Sequence, residues 1–263
     1  MLQTPAPEQN QLLAALSADT QKRLFPHLEL VQLPLGRSLY EPGCRVRNAY
    51  FPIDAIISLV YVTQNGATTE ISLVGNEGII GAPLFLGGDS TPSQAVVQNA
   101  GFAYRLHGSR LKTEFNRYTE LFRLLLLYMQ ALITQTSQTA VCNRHHSIDQ
   151  RLCRWLLLSL DRLQIDEFNM TQELMASMLG ARRESITEAA SKLQKLRIID
   201  YSCGHIKVLN RYKLEELCCE CYAVVKKETD RLLPKPSAEF AEPIRYSHSL
   251  LVLKSNGRKV MSH

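Results

Sequence analysis

Two arginines that follow a single glycine are the residues of this sequence best suited to bind nucleic acid. The segment TQELMASMLGARRESITEAASKLQ, residues 171–194, has two short helical patterns separated by Gly180, with Arg182 and Arg183 just after it. An arginine at the start of a helix can donate two hydrogen bonds to O6 and N7 of a guanine in the major groove. The pattern favours DNA binding, but two core helices with solvated charges would share part of it.

A group of cysteines is the second chemically suggestive feature. The segment LEELCCECY, residues 214–222, contains Cys218, Cys219 and Cys221. Three close thiols can bind a soft metal or undergo redox exchange. If this segment is one helix, Cys218 and Cys221 share a face and Cys219 points about 100° away from Cys218. A four-ligand zinc site would then need ligands from elsewhere, so buried packing thiols are the alternative.

Other combinations of reactive side chains give weaker signals. Cys142 with His145 and His146 resembles a set of metal ligands, but its position near a predicted helix end is more typical of a solvated hinge. No serine or cysteine has a recognisable nucleophile–base pattern, and no glycine-rich segment is suited to cradle a phosphate. We therefore predict no catalytic residues, no metal, no cofactor and no enzymatic activity.

The residues around Gly180 predict the helix-turn-helix that would position the arginines. Glycine ends a helix in the left-handed conformation without a Cβ penalty, and Ala176 is small where two helices would approach. Five apolar residues face inward in this prediction: Met175, Leu179, Ile186, Ala189 and Leu193. The residues predicted to meet DNA are Arg182, Arg183, Glu184, Ser185, Glu188 and Lys192, with His205 and Lys207 on a following β-hairpin wing.

The N-terminal part of the chain has the punctuation of β structure. From Leu30 to Leu106, short apolar or alternating runs are separated by Gly, Asn and Pro. Asn65 and Gly66 lie between two such runs and predict a hairpin with a type I′ turn. Many short strands at this spacing predict a barrel or roll.

A long helix is predicted to follow the β region. Apolar residues recur at spacings of three and four, and no Gly or Pro occurs between Ser109 and Leu179. A helix over 112–143 would be longer than one roll needs as a cover. We therefore predict a homodimer seam formed by Leu121, Leu125, Tyr128 and Leu132, with packing inside the same chain as the alternative.

Composition limits the class of protein. A chain of 263 residues with 45% hydrophobic residues can bury a core and form two domains. Its net charge of +5 does not by itself specify a partner, and its seven scattered cysteines argue against a secreted disulfide framework. Since the N-terminal segment lacks a signal-peptide pattern and no apolar run could span a bilayer, a cytoplasmic location and no membrane contact are predicted.

The combined pattern resembles the Crp/Fnr family of bacterial transcription regulators over about residues 17–222. The resemblance implies an α+β fold with an N-terminal double-stranded β-helix, or jelly-roll-like, sensor domain over 17–111 and a dimerisation helix over 112–143. It also implies a winged helix-turn-helix over 147–222, and the composition predicts a loosely ordered tail over 233–263. The implied partners are a second copy of the chain, a palindromic double-stranded DNA operator and RNA polymerase.

Within the family pattern, an Arg-Glu pair followed by Ser or Thr leads the recognition helix, and Arg183, Glu184 and Ser185 match it. The resemblance implies that the arginine reads guanine and that the glutamate accepts from a base amino group. Glu188 stands where the family often carries a second arginine. This departure indicates an operator different from the common family consensus.

The resemblance also identifies a degenerate effector pocket at Gly81, Ala82, Ser93 and Gln94. Family members that bind cyclic nucleotides use a Gly-Glu pair for the ribose and an arginine for the cyclic phosphate. Here Ala82 takes the place of the glutamate, and Ser93, followed by Gln94, takes that of the arginine. Losing the cation removes a charge-assisted hydrogen bond of about 1.5–3 kcal/mol, so the effector is predicted not to be cAMP.

Two other functions stay open at this point. One is a ligand-binding regulatory module whose winged helix contacts proteins. The other is a redox- or metal-responsive regulator that uses Cys218 and Cys221. Salt-sensitive binding to a palindromic DNA would distinguish the DNA-binding regulator from the protein-contact module.

Overall fold

The structure is a computed structural model that describes residues 5–163 and 166–233. The N-terminal segment forms short helices in front of the sheets. They are a 3-10 helix Pro7–Gln9, α1 (Gln11–Ala14), α2 (Ala18–Leu24) and a 3-10 helix Phe25–His27. Asn10 anchors this segment, because its side-chain nitrogen donates to the carbonyls of Pro52 and Gly78 at 3.0 and 2.9 Å.

Seven strands form two antiparallel sheets. They are β1 (Glu29–Leu33), β2 (Ser38–Tyr40), β3 (Asn48–Pro52), β4 (Ile56–Val62), β5 (Thr68–Val74), β6 (Gln94–Asn99) and β7 (Gly101–His107), with α3 (Ala82–Leu86) between β5 and β6. One sheet has the order β1-β7-β3 and the other β2-β6-β4-β5. The predicted N-terminal β-roll is confirmed.

The predicted hairpin at Asn65 and Gly66 joins β4 and β5, but its turn differs from the predicted type I′. Thr63 N–H donates to the Ala67 carbonyl at 2.8 Å, which leaves three residues in the loop. Among them only Gly66 has a positive φ, of 83°. A left-handed glycine at the end of a three-residue loop is the usual alternative to the two-residue turn.

The long helix begins later than predicted. The chain first forms α4 (Gly108–Phe115), then breaks, and α5 runs over Glu120–His145. Tyr118 at the break has a φ of 57° in the left-handed region, a conformation that the sequence did not indicate because the segment lacks Gly and Pro. The 26 residues of α5 give a length of about 39 Å.

The rest of the described chain forms the winged helix-turn-helix. Its elements are α6 (Ile148–Leu163), β8 (Glu167–Asn169), α7 (Gln172–Leu179), α8 (Arg183–Lys195), β9 (Ile199–Ser202), β10 (His205–Val208), α9 (Arg211–Leu217) and α10 (Glu220–Leu232). The wing has three strands in the order β8-β10-β9, one more than the predicted hairpin. Of the predicted tail over 233–263, only Leu233 lies within the described residues, and it is buried.

Two hydrophobic cores organise the molecule. The first fills the β-roll and includes α5 residues, whereas the second is built on α6, α7 and α8. Ile56 of β4 and Leu73 of β5 belong to the second core although they lie in the roll. The two halves of the chain therefore share buried apolar surface.

The face of α5 predicted as the dimer seam packs within its own chain. Leu121 and Leu125 are fully buried, and Tyr128 is buried with its hydroxyl donating to the Ile79 carbonyl at 3.1 Å. These three side chains belong to the core of the roll and cannot also line a contact with another chain. Leu132 is half-buried against the same core. The seam assignment is therefore wrong for Leu121, Leu125 and Tyr128.

Candidate nucleic-acid interface

The joint between α7 and α8 has the geometry of a helix-turn-helix. Thr171 caps α7 by accepting from the Leu174 N–H at 3.2 Å. Gly180 ends α7 in the left-handed conformation, with φ 56° and ψ 44°, and Ala181 N–H returns to the Ala176 carbonyl at 2.9 Å. A glycine at this position closes the helix without steric cost. The chain then starts α8 within three residues.

The two faces of α8 differ in burial as the period of a helix requires. Ile186, Ala189 and Leu193 are buried in the second core, together with Met175 and Leu179 of α7. The opposite face carries the residues that the sequence singled out. Arg182, Arg183, Glu184, Glu188 and Lys192 are exposed, and Ser185 is half-buried.

The cations of this face differ in how firmly they are held. Arg183 meets Glu173 only at 4.0 Å, whereas Lys192 lies 3.1 Å from Asp149 and 3.7 Å from Glu188. The hydrogen bond and charge of Asp149 raise the pKa of Lys192. Within the described residues Arg182 makes no ion pair. A phosphate would therefore reach Arg182 without competition but would compete with two carboxylates for Lys192.

The wing ends in a tight turn at Cys203 and Gly204. Both have positive φ, 49° and 78°, between the paired residues Ser202 and His205. This is the two-residue arrangement that the sequence analysis expected at Asn65 and Gly66. His205 and Lys207 both lie 4.0 Å from the carboxylate of Glu167 on β8, so the predicted wing cations share one counter-charge.

The β4–β5 hairpin of the roll reaches the helix-turn-helix. The hydroxyl of Thr68 hydrogen bonds to that of Ser177, and a Cβ at Gly180 would lie 3.0 Å from Thr69 Oγ1. Arg151 donates to the Leu179 carbonyl. These contacts place the end of the roll against the turn that orients α8.

A buried polar contact joins the same two halves. Glu70 of β5 accepts from the Trp155 indole N–H at 3.1 Å and from the Ser58 hydroxyl at 2.6 Å. Burial raises the pKa of Glu70 to about 7, although its hydrogen bonds and the charges of Arg154 and Arg162 act in the opposite direction. No local pattern indicated the contact with Trp155, because its partners lie 85 positions apart.

The residues aligned with an effector pocket form a hydrogen-bonded set without a cation. Gly81 precedes α3 with a φ of 119°, and a Cβ there would approach the Ala49 Cα to 3.1 Å, so the fold itself explains this glycine. Ala82 opens α3 and is half-buried. Ser93 is buried with its Oγ 3.0 Å from Thr91 Oγ1. Gln94 donates to the Glu41 carboxylate at 2.8 Å.

The cysteines are arranged differently from the prediction. Cys218 and Cys219 are extended between α9 and α10, with ψ of 157° and 162°, so Cys218 and Cys221 do not share one helix face. Cys219 instead approaches Cys142, with 3.5 Å between the sulfur atoms, and Cys221 Sγ lies 3.5 Å from His146 Nδ1. The sequence could not indicate this grouping because its halves are more than 70 residues apart.

Burial and charge both act on this thiol group. The hydrogen bond with Cys219 and burial raise the pKa of Cys142, whereas the positive charge of Arg154 lowers it. Arg154 is itself buried and donates from Nη2 to Thr139 at 3.1 Å. In the described part of the chain, its Nε and Nη1 atoms have no hydrogen-bond partner.

Comparison with known proteins assigns the C-terminal half. The family model of the Crp-like helix-turn-helix domain matches residues 150–217. The chain carries a Crp-like helix-turn-helix domain. This domain runs from α6 to the end of α9, so α5 and α10, which meet at the thiol group, lie outside the match on either side. Among curated proteins, no sequence matches the chain.

Solved structures extend the likeness to the whole fold. The chain is similar to a protein from Eubacterium rectale ATCC 33656 described as a transcriptional regulator of the crp/fnr family, with 15% identity, a TM-score of 0.62 and coverage of 80% of this chain and 98% of that one. It is similar to FixK2 from Bradyrhizobium japonicum, with 15% identity, a TM-score of 0.62 and coverage of 73% and 98%. A CRP/FNR-family transcriptional regulator from Thermus thermophilus gives 22%, 0.57, 72% and 97%.

These likenesses confirm the predicted Crp/Fnr resemblance and its α+β fold with a β-roll before the Crp-like domain. In the described residues, no helix is long and apolar enough to cross a membrane.

Proposed function

We propose that this protein is a sequence-specific DNA-binding transcription regulator of the Crp/Fnr type that acts as a dimer. The observation that carries the proposal is the exposed Arg182–Arg183 pair at the start of α8, held by the Gly180 joint inside a Crp-like helix-turn-helix domain. A helix of this kind fits the major groove with its N-terminal residues against the base edges.

The ion pairs divide the work among the cations. Arg183 is the base-reading residue, because it is the first residue of α8 and its contact with Glu173 is long. Arg182, just before the helix and without an ion pair in the described residues, binds a phosphate. Glu184 and Ser185 complete the matched pattern, and Glu188 alters the operator. His205 and Lys207 of the wing bind phosphate more weakly, since Glu167 competes for both.

The dimer forms through the exposed face of α5. Apolar or small residues recur there with alternating steps of four and three: Phe122, Leu126, Met129, Ile133, Thr136 and Ala140. Such a pattern is the seam of a two-helix coiled coil. Ile133 is 61% exposed and Leu126 43% exposed, so this seam is accessible in the single chain.

The effector pocket is not built for a cyclic nucleotide. A phosphate entering near Gln94 would meet the Glu41 carboxylate, and a buried phosphate requires a cation to offset its desolvation. We expect calorimetry to detect no binding of cAMP or cGMP at micromolar concentrations. Micromolar affinity for either nucleotide would contradict this assignment of the pocket.

The test of the function is selection of DNA from genomic fragments by the full chain, followed by binding at several salt concentrations. We expect a two-fold symmetric operator and an affinity that falls steeply with salt. Binding without sequence preference, or recovery of a site without symmetry, would contradict a dimeric operator-binding protein. Absence of DNA binding would favour the regulatory module that contacts proteins.

A further inference from the structure

We propose that Cys142, His146, Cys219 and Cys221 form a zinc site at the hinge between α5 and the Crp-like domain. Their four ligand atoms all lie within 4.8 Å of one another. The two closest approaches, between the Cys142 and Cys219 sulfurs and between Cys221 Sγ and His146 Nδ1, are both 3.5 Å. A tetrahedral zinc with bonds of about 2.0–2.3 Å separates its ligand atoms by roughly 3.5–3.8 Å.

The ligand types favour zinc among the metals available to a protein. Three thiolates and one imidazole are a set that structural zinc sites use, and soft thiolates exclude Mg²⁺ and Ca²⁺. The group is too compact to enclose an iron–sulfur cluster, which must hold several iron and sulfide ions between its cysteines. Because all four positions are filled by protein atoms, the site would be structural or regulatory and not catalytic.

The histidine is oriented as a metal ligand. Its Nδ1 faces the thiols while its Nε2 lies 3.3 Å from the Glu220 carboxylate. A histidine that ligates through one nitrogen usually donates its other N–H to a carboxylate, which fixes the ring and the tautomer. The ring is 13% exposed, so the ligand atoms are shielded from water while Glu220 remains at the surface.

The charge of the surroundings also fits. Zinc with three thiolates carries a net charge of −1, and the thiol protons leave to solvent when the metal binds. Arg154 supplies a buried positive charge that acts on the thiols of Cys142, Cys218 and Cys221. Two of its nitrogens have no hydrogen-bond partner in the described residues, so the thiolates would provide the counter-charge that this guanidinium lacks.

The position of the site gives it a mechanical role. Cys142 lies in the last turn of α5, His146 ends that helix, and Cys219 and Cys221 lie at the start of α10. Since α6 begins at Ile148, bound zinc would fix the connection between the long helix and the Crp-like domain. All four ligands lie outside residues 150–217, so the matched domain does not supply them.

The first measurement is the metal content of the full chain, purified under reducing conditions, together with its absorption spectrum after exchange with Co²⁺. We expect one zinc per chain and the thiolate-to-cobalt charge-transfer and tetrahedral d–d bands of a three-sulfur site. A folded protein that binds neither metal stoichiometrically would overturn the proposal. Isolation of a Cys142–Cys219 disulfide from reduced, metal-free protein would also overturn it.

Variants locate the ligands. Cys219→Ser and His146→Ala should weaken zinc binding by more than the 10–100-fold that is typical for loss of an outer-shell partner, and Glu220→Gln should fall within that range. Cys218→Ser is the matched control, since Cys218 is adjacent in sequence but not among the four atoms. If Cys218→Ser loses as much affinity as Cys219→Ser, the assignment is wrong. If Cys219→Ser does not fold, His146→Ala decides the assignment.

A third arm tests the hinge and alone rests on the proposed function. Removing zinc should weaken operator binding at least tenfold in the parent, and re-addition of Zn²⁺ should restore it. Stoichiometric zinc with unchanged operator affinity would refute the regulatory role but leave the metal site intact. A protein that binds zinc but no DNA would refute the proposed function alone.

Discussion

Arg182 and Arg183 are adjacent in sequence, yet the start of α8 gives them different surroundings. The 3.6-residue period alone predicted that Ile186, Ala189 and Leu193 turn inward and that the arginines stay exposed, and the burial of α8 agrees. The ion pair of Lys192 could not be predicted, because Asp149 lies on α6, 43 positions away. Local periodicity identifies exposed side chains but not the partners that compete for them.

The base-reading assignment predicts different effects for the two arginines. Arg183→Ala should reduce discrimination between the operator and a variant altered at its guanine by about 1–3 kcal/mol. Arg182→Ala should weaken binding to both DNAs equally and reduce the slope of log affinity against log salt by about one unit. Fluorescence anisotropy across a salt series measures both. Full discrimination in Arg183→Ala would shift the base contact to Glu184 or Ser185.

Glu70 predicts a pH dependence of stability. Its pKa of about 7 in the folded protein lies above the ordinary value of 4.5, so the folded state binds the proton more tightly than the unfolded state. The free energy of unfolding should therefore fall by roughly 3 kcal/mol as pH rises from about 4.5 through 7, and the loss should be complete above that. The groups around this carboxyl are Ser58, Trp155, Arg154 and Arg162.

Urea unfolding at several pH values measures this effect. Glu70→Gln should remove the fall between about pH 5 and 7, because an amide keeps an acceptor for Trp155 but does not titrate. Glu29→Gln, at an exposed position, is the control and should keep the fall. The same pH slope in Glu70→Gln and the parent would assign the titration to another group.

At the scale of the element, α5 shows where sequence prediction reached its limit. The helix has two apolar faces, one with Leu121, Leu125 and Tyr128 and the other with Leu126 and Ile133. Both repeat at spacings of three and four, so periodicity predicted the helix but could not determine which face would cover the roll. The roll residues that decide this, such as Ile79, are remote in sequence.

The corrected seam gives a prediction for the dimer. Leu126→Asp combined with Ile133→Asp should produce monomers in sedimentation experiments, because two buried charges would face each other across the coiled coil. The free energy of unfolding of the single chain should change little, since both side chains are exposed in it. Leu125→Asp, on the buried face, should instead unfold the chain. A double variant that remains dimeric would exclude this seam.

At the scale of the whole molecule, the roll and the Crp-like domain are coupled through shared core and buried polar contacts. Ile56 and Leu73 of the roll pack in the second core, and Glu70 binds Trp155 of α6. The order of the two domains was predictable from the change in sequence periodicity. Their direct packing was not, because it depends on contacts between β5 and α6 and between β5 and α7, which local patterns do not encode.

This coupling predicts that the chain unfolds as one unit, which its single tryptophan can report. Leu33→Ala, in the core of the roll and away from the second core, should cost about 2–5 kcal/mol. If the halves are coupled, Trp155 fluorescence and far-UV circular dichroism should shift together to lower denaturant. Leu73→Ala should produce the same joint shift and also weaken the coupling. A Leu33→Ala variant whose Trp155 transition stays at the parent midpoint would show that the Crp-like domain folds independently of the roll.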